Sequence, residues 1–593
     1  MVDRRRFLSG SLTALGWGLA APFTLNTGAC GGGGASVRQG ADAGMAGDGA
    51  GAGDTAGVAR PPAVLRLDSE RVFDLSVASG DPTASGVILW THIRPERFAP
   101  EIPLWFQVAD EPGFQRVRLE GLVAMPATGP GSDHTVKVDL DGRLEAGRSY
   151  HYRFIYGDTA SQTGRCRTLP ARGTSPAEVK LAVLTCQDYT NGYYGAYRHV
   201  AEDDSIDFLV HLGDFIYESV DDERFQETPF PDRLLTLPIG GHVATGLGDY
   251  RFLYRNCRSD PSVRRALERH TLIAAPDDHE TANDCYWDYA NDTLGAPDHP
   301  FKGDAARLRR LKLDSQRAWC EYMPTRVAFD PLATHPHQAS RLYRTFVFGD
   351  LVRLSMLDTR SYRTAHPCGE GDVLERYLPL GCEKYETPTQ TILGKEQRAW
   401  LLDELTSPGQ TWKVLGNQTF FGRLSAVPNG GLPINLDAWD GFGAERSLLT
   451  AEINRRAIEN LVILNGDLHS SIASHVRADD GSLFTPASVV GVEFMTPAVT
   501  SAALTEMLAK GIGRAAAGTT GLSEAAVRLN NPHIRFFNSA LHGYSTVRFT
   551  PTGADWTAYA VDKTVADPSR TTSRAFVRYR KPIGTPMLIE VPI

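Results

Sequence analysis

Six short apolar runs each stop at side chains able to hold a cation or move a proton. Lys180-Leu-Ala-Val-Leu184 runs into Thr185-Cys186-Gln187-Asp188, and Phe208-Leu-Val-His-Leu212 into Gly213-Asp214. Leu272-Ile-Ala-Ala275 is followed by Pro276-Asp277-Asp278-His279-Glu280, and Val352-Arg-Leu-Ser-Met-Leu357 by Asp358. Trp412-Lys-Val-Leu415 leads to Gly416-Asn417-Gln418, and Leu461-Val-Ile-Leu464 to Asn465-Gly466-Asp467-Leu468-His469.

The pair Asp277-Asp278 is the most unusual of these clusters. Adjacent carboxylates repel and raise each other's pKa unless a cation intervenes. On an extended segment Asp467 and His469 point the same way, as natural metal ligands do. Tyr217, three residues after Asp214, reaches the same ion if the chain turns. Taken singly, each cluster has an ordinary reading: a Gly-Asp turn, a hydrogen-bonded Asp-x-His pair, an acidic surface turn, a buried inert thiol at Cys186. Taken together, they bring Cys186, Asp214, Tyr217, Asp277, Asp278, Asp467 and His469 to neighbouring strand ends. That much negative charge in one cavity requires multivalent cations. Arg360, just after another strand end, is read either as a bidentate clamp for an anion or as an ion-pair partner of Asp358 or another carboxylate.

Uninterrupted apolar strands belong to sheets covered on both faces. Functional groups after their carboxyl ends place one site along that edge. Helices are expected over 194–204, 304–322, 395–406 and 449–460. The expected architecture is therefore α/β, a layered sheet structure with helices outside, over residues 176–593. Residues 67–172 read differently. Short alternating runs such as Leu104-Trp-Phe-Gln-Val108 and Tyr150-His-Tyr-Arg-Phe154 predict a small all-β sandwich with a packing role.

The first 30 residues read as an address. Arg4-Arg5-Arg6 precede an uncharged stretch through Leu25, which resembles a twin-arginine export signal over residues 1–30. Cys30 stands where a lipidated cysteine would, and residues 31–66 form a flexible Gly/Ala-rich linker. With 61 basic against 70 acidic residues, the net charge of −9 argues against specific nucleic-acid binding. Of the eight cysteines, Cys368 and Cys382 flank a loop suited to a disulfide in an oxidising compartment. Cys166, Cys257, Cys285 and Cys320 are open to pairing or to burial as thiols.

In order along the chain, Thr185-Cys-Gln187, His211-Leu-Gly-Asp-Phe-Ile-Tyr-Glu218, Asp277-Asp-His-Glu280, Leu357-Asp-Thr-Arg-Ser-Tyr-Arg363, Gly466-Asp-Leu-His469 and Asn531-Pro-His533 resemble the PhoD-type alkaline phosphatase/phosphodiesterase family of the calcineurin-like metallophosphoesterases. Val77-Ala-Ser-Gly-Asp-Pro82, Leu89-Trp-Thr91 and Thr168-Leu-Pro170 resemble that family's N-terminal sandwich, with a fibronectin/immunoglobulin-like fold. The resemblance implies a ferric ion held by Cys186, Asp214, Tyr217 and His469. It also implies two calcium ions, bound with the help of Asp214, Asp278 and Asp467. The implied reaction is phosphoester hydrolysis by in-line attack of a metal-activated hydroxide, with His279 protonating the leaving group or binding a phosphate oxygen. Pro276 departs from the aromatic residue of the pattern, and Asn417-Gln418 from its Gln-Gln. Three alternatives stand beside this one: a phospholipase D-like diesterase, a non-catalytic surface protein tethered through Cys30, and hydrolysis of another ester such as a sulfate.

Overall fold

The computed structural model describes residues 61–593, except 63–64, 67–68, 124–128, 223–229, 372, 380, 429–430, 479–488 and 508–519. The export signal, Cys30 and residues 31–60 of the linker lie outside the described residues. No helix among the described residues is long and apolar enough to cross a membrane.

Two large sheets pack face to face. In the first, Val179–Leu184, Phe208–His211 and Thr271–Ala274 run parallel, with Leu181 opposite Phe208 and Leu209 opposite Leu272. In the second, Val352–Met356, Trp412–Gly416 and Leu461–Asn465 run parallel, with Val414 opposite Val462. Alternation along each strand explains why the runs are apolar throughout. Leu181, Val183, Phe208, Val210 and Ile273 point inward to meet Leu354, Val414, Val462 and Leu464 of the other sheet. Ala182, Leu184, Leu209 and Leu272 point outward under one helical layer. Leu415, Leu461 and Ile463 point outward under another. The result is an α/β/β/α stack, in which every residue of these six strands except the half-buried Lys180 is buried.

The expected helices form at Gly195–Glu202, Ala305–Tyr322, Gly394–Thr406 and Gly443–Arg455. The last begins six residues earlier than its apolar pattern suggested. Its amphipathic signal is faint, because Glu445 and Arg446 are buried on its inner side. Leu247–Ser259 and Pro261–Arg269, not anticipated, are separated by Asp260. The Asp260 carboxylate caps the second helix by accepting the amides of Ser262 and Val263, and Pro261 occupies the first helical position.

The N-terminal sandwich is present as a core of Val77, Leu89 and Val136 against Phe106, Val108 and Phe154. One of its sheets, Val117–Leu122, Leu104–Ala109, Ser149–Tyr156, Thr159–Ala160 and Gly164–Arg167, stands alone. The other does not. Val77–Gly80, Ile88–His92 and Thr135–Asp139 continue the first large sheet through Gly80 opposite Leu272. The Asp81 carboxylate reinforces this junction by pairing with Arg344 at 2.7 Å.

Cys368 and Cys382 are joined as a disulfide. Cys166, Cys186, Cys257, Cys285 and Cys320 are buried free thiols.

Candidate metal centre

All the strands that carry ligand-type residues end on one edge, where the chain turns sharply. Cys186, Asp214, Asp467 and His469 each adopt a left-handed backbone, with φ of 55°, 58°, 65° and 49°. Such conformations are costly for residues with a Cβ and cluster where function over-determines them. Gly213, at φ 114°, lies so close to Asp277 that any side chain there would collide with it. Glu280 holds this turn. Its carboxylate accepts the amides of Asp214 at 3.0 Å, Phe215 at 2.7 Å and Asp277 at 2.7 Å.

The turns bring the donors together in three overlapping groups: Cys186, Asp214 and His469; Asp214, Asp278 and His279; and Asp277, Asp278 and Asp467. Within each group the ligand atoms lie within 4.8 Å of one another. Asp214 belongs to the first two groups and Asp278 to the last two, so the three sites form a row with shared carboxylates. Tyr217 joins the first group. Its hydroxyl donates to Asp214 Oδ2 at 3.0 Å and lies 3.2 Å from His469 Nε2. Ser501 donates to the same phenol oxygen at 2.6 Å. His469 Nδ1 sits 2.8 Å from the carbonyl of Ala502, so Nδ1–H donates there and Nε2 keeps its lone pair for the site.

Asp467 and His469 do not lie on an extended segment. The left-handed turn at both residues sends His469 to the first group and Asp467 to the third. The reading of an extended segment is therefore corrected.

Arg360 reaches the site but is wholly enclosed by carboxylates. Its Nε pairs with Asp277 at 2.6 Å and its Nη1 with Asp437 at 2.7 Å. Its Nη2 lies 3.1 Å from Asp467 and 3.4 Å from Asp278. With the side chain 2% exposed, its donors are committed to protein oxygens, and the ion-pair reading, not the anion clamp, describes it. Asp358 is not among these partners; it accepts the backbone amides of Arg360 and Ser361. Asp437 had no sequence signal, because it lies in no strand-end cluster, yet it also pairs with Arg363 and His366.

His279 Nδ1 bonds the buried Glu218 carboxylate at 2.7 Å, and its ring packs on Tyr217 with centroids 4.0 Å apart. In the sequence, Glu218 carries no signal beyond ending the stretch His211-Leu-Gly-Asp-Phe-Ile-Tyr-Glu218. It also accepts the amide of Asn283. The departure at Asn417-Gln418 is part of the scaffold. Gln418 bonds Thr359 and the carbonyl of Leu357, and Asn417 accepts from the Trp439 indole. Asn531 and His533 bond Ser425 and the carbonyl of Arg423, outside the three groups.

Electrostatics expose the need for cations. Burial, then neighbouring carboxylates, push Asp214 and Asp467 well above the usual carboxylate range. Burial raises Asp277 to about 7 despite Arg360. Burial, then Asp214, raise the Cys186 thiol and the Tyr217 phenol. Burial lowers His469 to about 4. Burial opposes the charge on His279, but Glu218, Asp278 and Asp214 outweigh it and raise its pKa well above 6.5. Asp214 Oδ1 and Asp278 Oδ1 are buried without any hydrogen bond, and Asp278 Oδ1 has only the Arg360 guanidinium, 3.4 Å away, to offset its charge. Orphaned anionic oxygens of this kind are expensive unless they ligate a cation. The donor set and these two oxygens therefore fit a multinuclear metal centre.

Comparison with known proteins agrees with this geometry. The family described as PhoD-like phosphatase matches residues 181–558, and its N-terminal domain matches residues 60–170. The chain belongs to the PhoD-like phosphatase family. It is 33% identical to alkaline phosphatase D of Bacillus subtilis (strain 168), over 86% of this chain and 81% of that protein. It superposes on a solved structure titled "Structure of PhoD" with a TM-score of 0.73 at 28% identity, covering 89% of this chain and 93% of that one. As a PhoD-like phosphatase it is a phosphoric ester hydrolase, and the row of ligand groups lies at the strand ends within the family match.

Proposed function

We propose that this protein is an exported phosphatase that hydrolyses phosphate mono- and diesters at a centre of one ferric ion and calcium ions. The sharing of Asp214 and Asp278 between neighbouring ligand groups carries the reading. Thiolate and phenolate donors suit Fe³⁺, so Cys186, Asp214, Tyr217 and His469 would hold iron. All-oxygen donors suit Ca²⁺, so Asp214 with Asp278, and Asp278 with Asp467, would hold calcium. Asp277 serves this arrangement from beside it, as the closest anchor of Arg360.

Bound there, the ions supply Lewis acidity toward the phosphoryl oxygens and acidify a water for in-line attack. The protein's own groups do the rest. Arg360 offsets part of the repulsion among Asp277, Asp278 and Asp467, and Asp437 holds the guanidinium in place. Glu218 accepts the Nδ1 proton of His279, leaving Nε2–H to give its proton to the departing alkoxide. The Glu218 carboxylate favours the protonated ring of His279.

Export through a twin-arginine signal to the periplasm or cell surface, with or without a lipid on Cys30, is part of the same proposal. It is supported by Arg4-Arg5-Arg6 and by the Cys368–Cys382 disulfide, a bond favoured in oxidising compartments. The test is side-by-side kinetics of the metal-loaded enzyme on matched aryl phosphate monoesters, diesters and sulfates. Turnover of phosphates with no turnover of the sulfate is expected; preference for the sulfate would overturn the substrate class.

A further inference from the structure

Two residues outside the ligand groups grip one of the shared carboxylates through an intermediary. Arg376 is 1% exposed and sits between two acids. Its Nε lies 2.9 Å from Asp284, and its Nη2 3.0 Å from Asp298. The neighbouring Tyr377 hydroxyl donates to the other oxygen of Asp284 at 2.8 Å. Asp284, itself left-handed at φ 54°, turns its backbone amide onto Asp278 Oδ2 at 2.6 Å. That bond occupies one oxygen of Asp278; the other, Oδ1, is buried with no hydrogen bond and lies 3.4 Å from Arg360 Nη2.

Arg376 and Tyr377 end a helix of only five residues, Val373–Tyr377. A helix this short does not hold itself together in water. It lies within the loop that the Cys368–Cys382 disulfide closes, and this closure limits how far the helix can stray. The segment just before the loop is anchored separately, and Glu370 ties the loop to it. His366 bonds Asp437 at 2.7 Å and Glu370 at 2.8 Å, and Asp437 in turn holds Arg360. The loop therefore meets the site twice, once through Asp284 to Asp278 and once through Asp437 to Arg360. The iron group of Cys186, Tyr217 and His469 receives neither contact.

We propose that Arg376 and Tyr377, held by the disulfide-closed loop, are positioning residues for calcium. They fix Asp284, and through its amide they aim Asp278 Oδ1 at the cation. The inference rests on the calcium assignment above.

Calcium chloride titrated calorimetrically into iron-loaded, calcium-stripped protein tests it, with iron content and visible absorption recorded in parallel. Arg376→Gln, and separately the double substitution Cys368→Ser with Cys382→Ser, should each weaken calcium binding tenfold or more while iron content and absorption stay unchanged. Arg376→Lys should recover part of the loss, because a cation between Asp284 and Asp298 is restored. Tyr377→Phe serves as the milder probe if Arg376→Gln fails to fold, with a several-fold loss expected. Calcium affinity within twofold of the parent in the variants that fold would overturn the proposal. So would loss of iron together with calcium, which would mark a general collapse of the site. If the parent itself binds no calcium, the calcium assignment fails first, and that outcome is distinct from both.

Discussion

The phenol oxygen of Tyr217 lies 3.2 Å from Nε2 of His469, a residue 252 positions further along the chain. One comes from the first sheet and the other from the second, so their meeting records the face-to-face packing of the two sheets. Cys186 and Asp214 complete the pocket around them.

Iron held by this pocket should be visible. Purified holoprotein should absorb in the visible range through phenolate and thiolate charge transfer. Tyr217→Phe should shift or abolish the phenolate band, and Cys186→Ser should lose most of the iron and activity. A spectrum unchanged in both variants would remove these residues from the iron site.

Glu218→Gln isolates the role of His279. Glu218 is the strongest influence holding the imidazolium, so its loss lowers the His279 pKa. The group acts as an acid, active below its pKa. The alkaline limb of the kcat/KM profile should therefore move to lower pH, with roughly 10²-fold lower activity on poor leaving groups. Substrates with highly acidic leaving groups should be much less affected. An unmoved alkaline limb would show that His279 is not the proton donor.

Metal removal should make stability fall as pH rises. Asp214, Asp277 and Asp467 have folded pKa values raised above their unfolded ones. Without cations, the stability from holding these protons is full below about pH 4, the unfolded value, and is lost as pH rises through the folded values. Chelated protein should lose on the order of a few kcal/mol between pH 5 and pH 8. Metal-loaded protein should not, because the ions replace the protons. Thermal midpoints across that range, with and without chelator, measure the difference.

Gly213→Ala should be severe. The added Cβ meets Asp277 and must adopt φ 114°, a region that only glycine visits readily. A cost of roughly 3 kcal/mol or more in stability is expected from strain and overpacking together. Chemical denaturation of the variant measures it, and a loss below about 1 kcal/mol would mean that the turn relaxes freely.

Much of this site was legible because parallel strands buried on both faces advertise themselves. Leu181 to Leu184 and Leu461 to Leu464 are apolar at every position, and the first polar residue after each marks the functional edge. The ligand-type residues at those ends, from Cys186 to His469, could thus be picked out without coordinates. Two kinds of information were not written locally. Backbone direction in the turns was hidden, so Asp467 and His469 were read as an extended segment when both are left-handed and serve different ligand groups. Partners drawn from irregular segments were hidden too. Asp437, Arg376 and Ser501 follow no strand and keep no period, and only the folded chain brings them to Arg360, Asp284 and Tyr217. The junction at Gly80 and Leu272 escaped for a related reason, since hydrophobic alternation does not say which sheet a strand joins.

The most direct test is diffraction from crystals of the natively produced protein, with anomalous data collected on both sides of the iron edge. An iron peak enclosed by Cys186 Sγ, Asp214, Tyr217 and His469 Nε2, beside calcium density between Asp214 and Asp278, is the predicted result. Zinc alone in that pocket, or an iron peak remote from Cys186, would contradict the account.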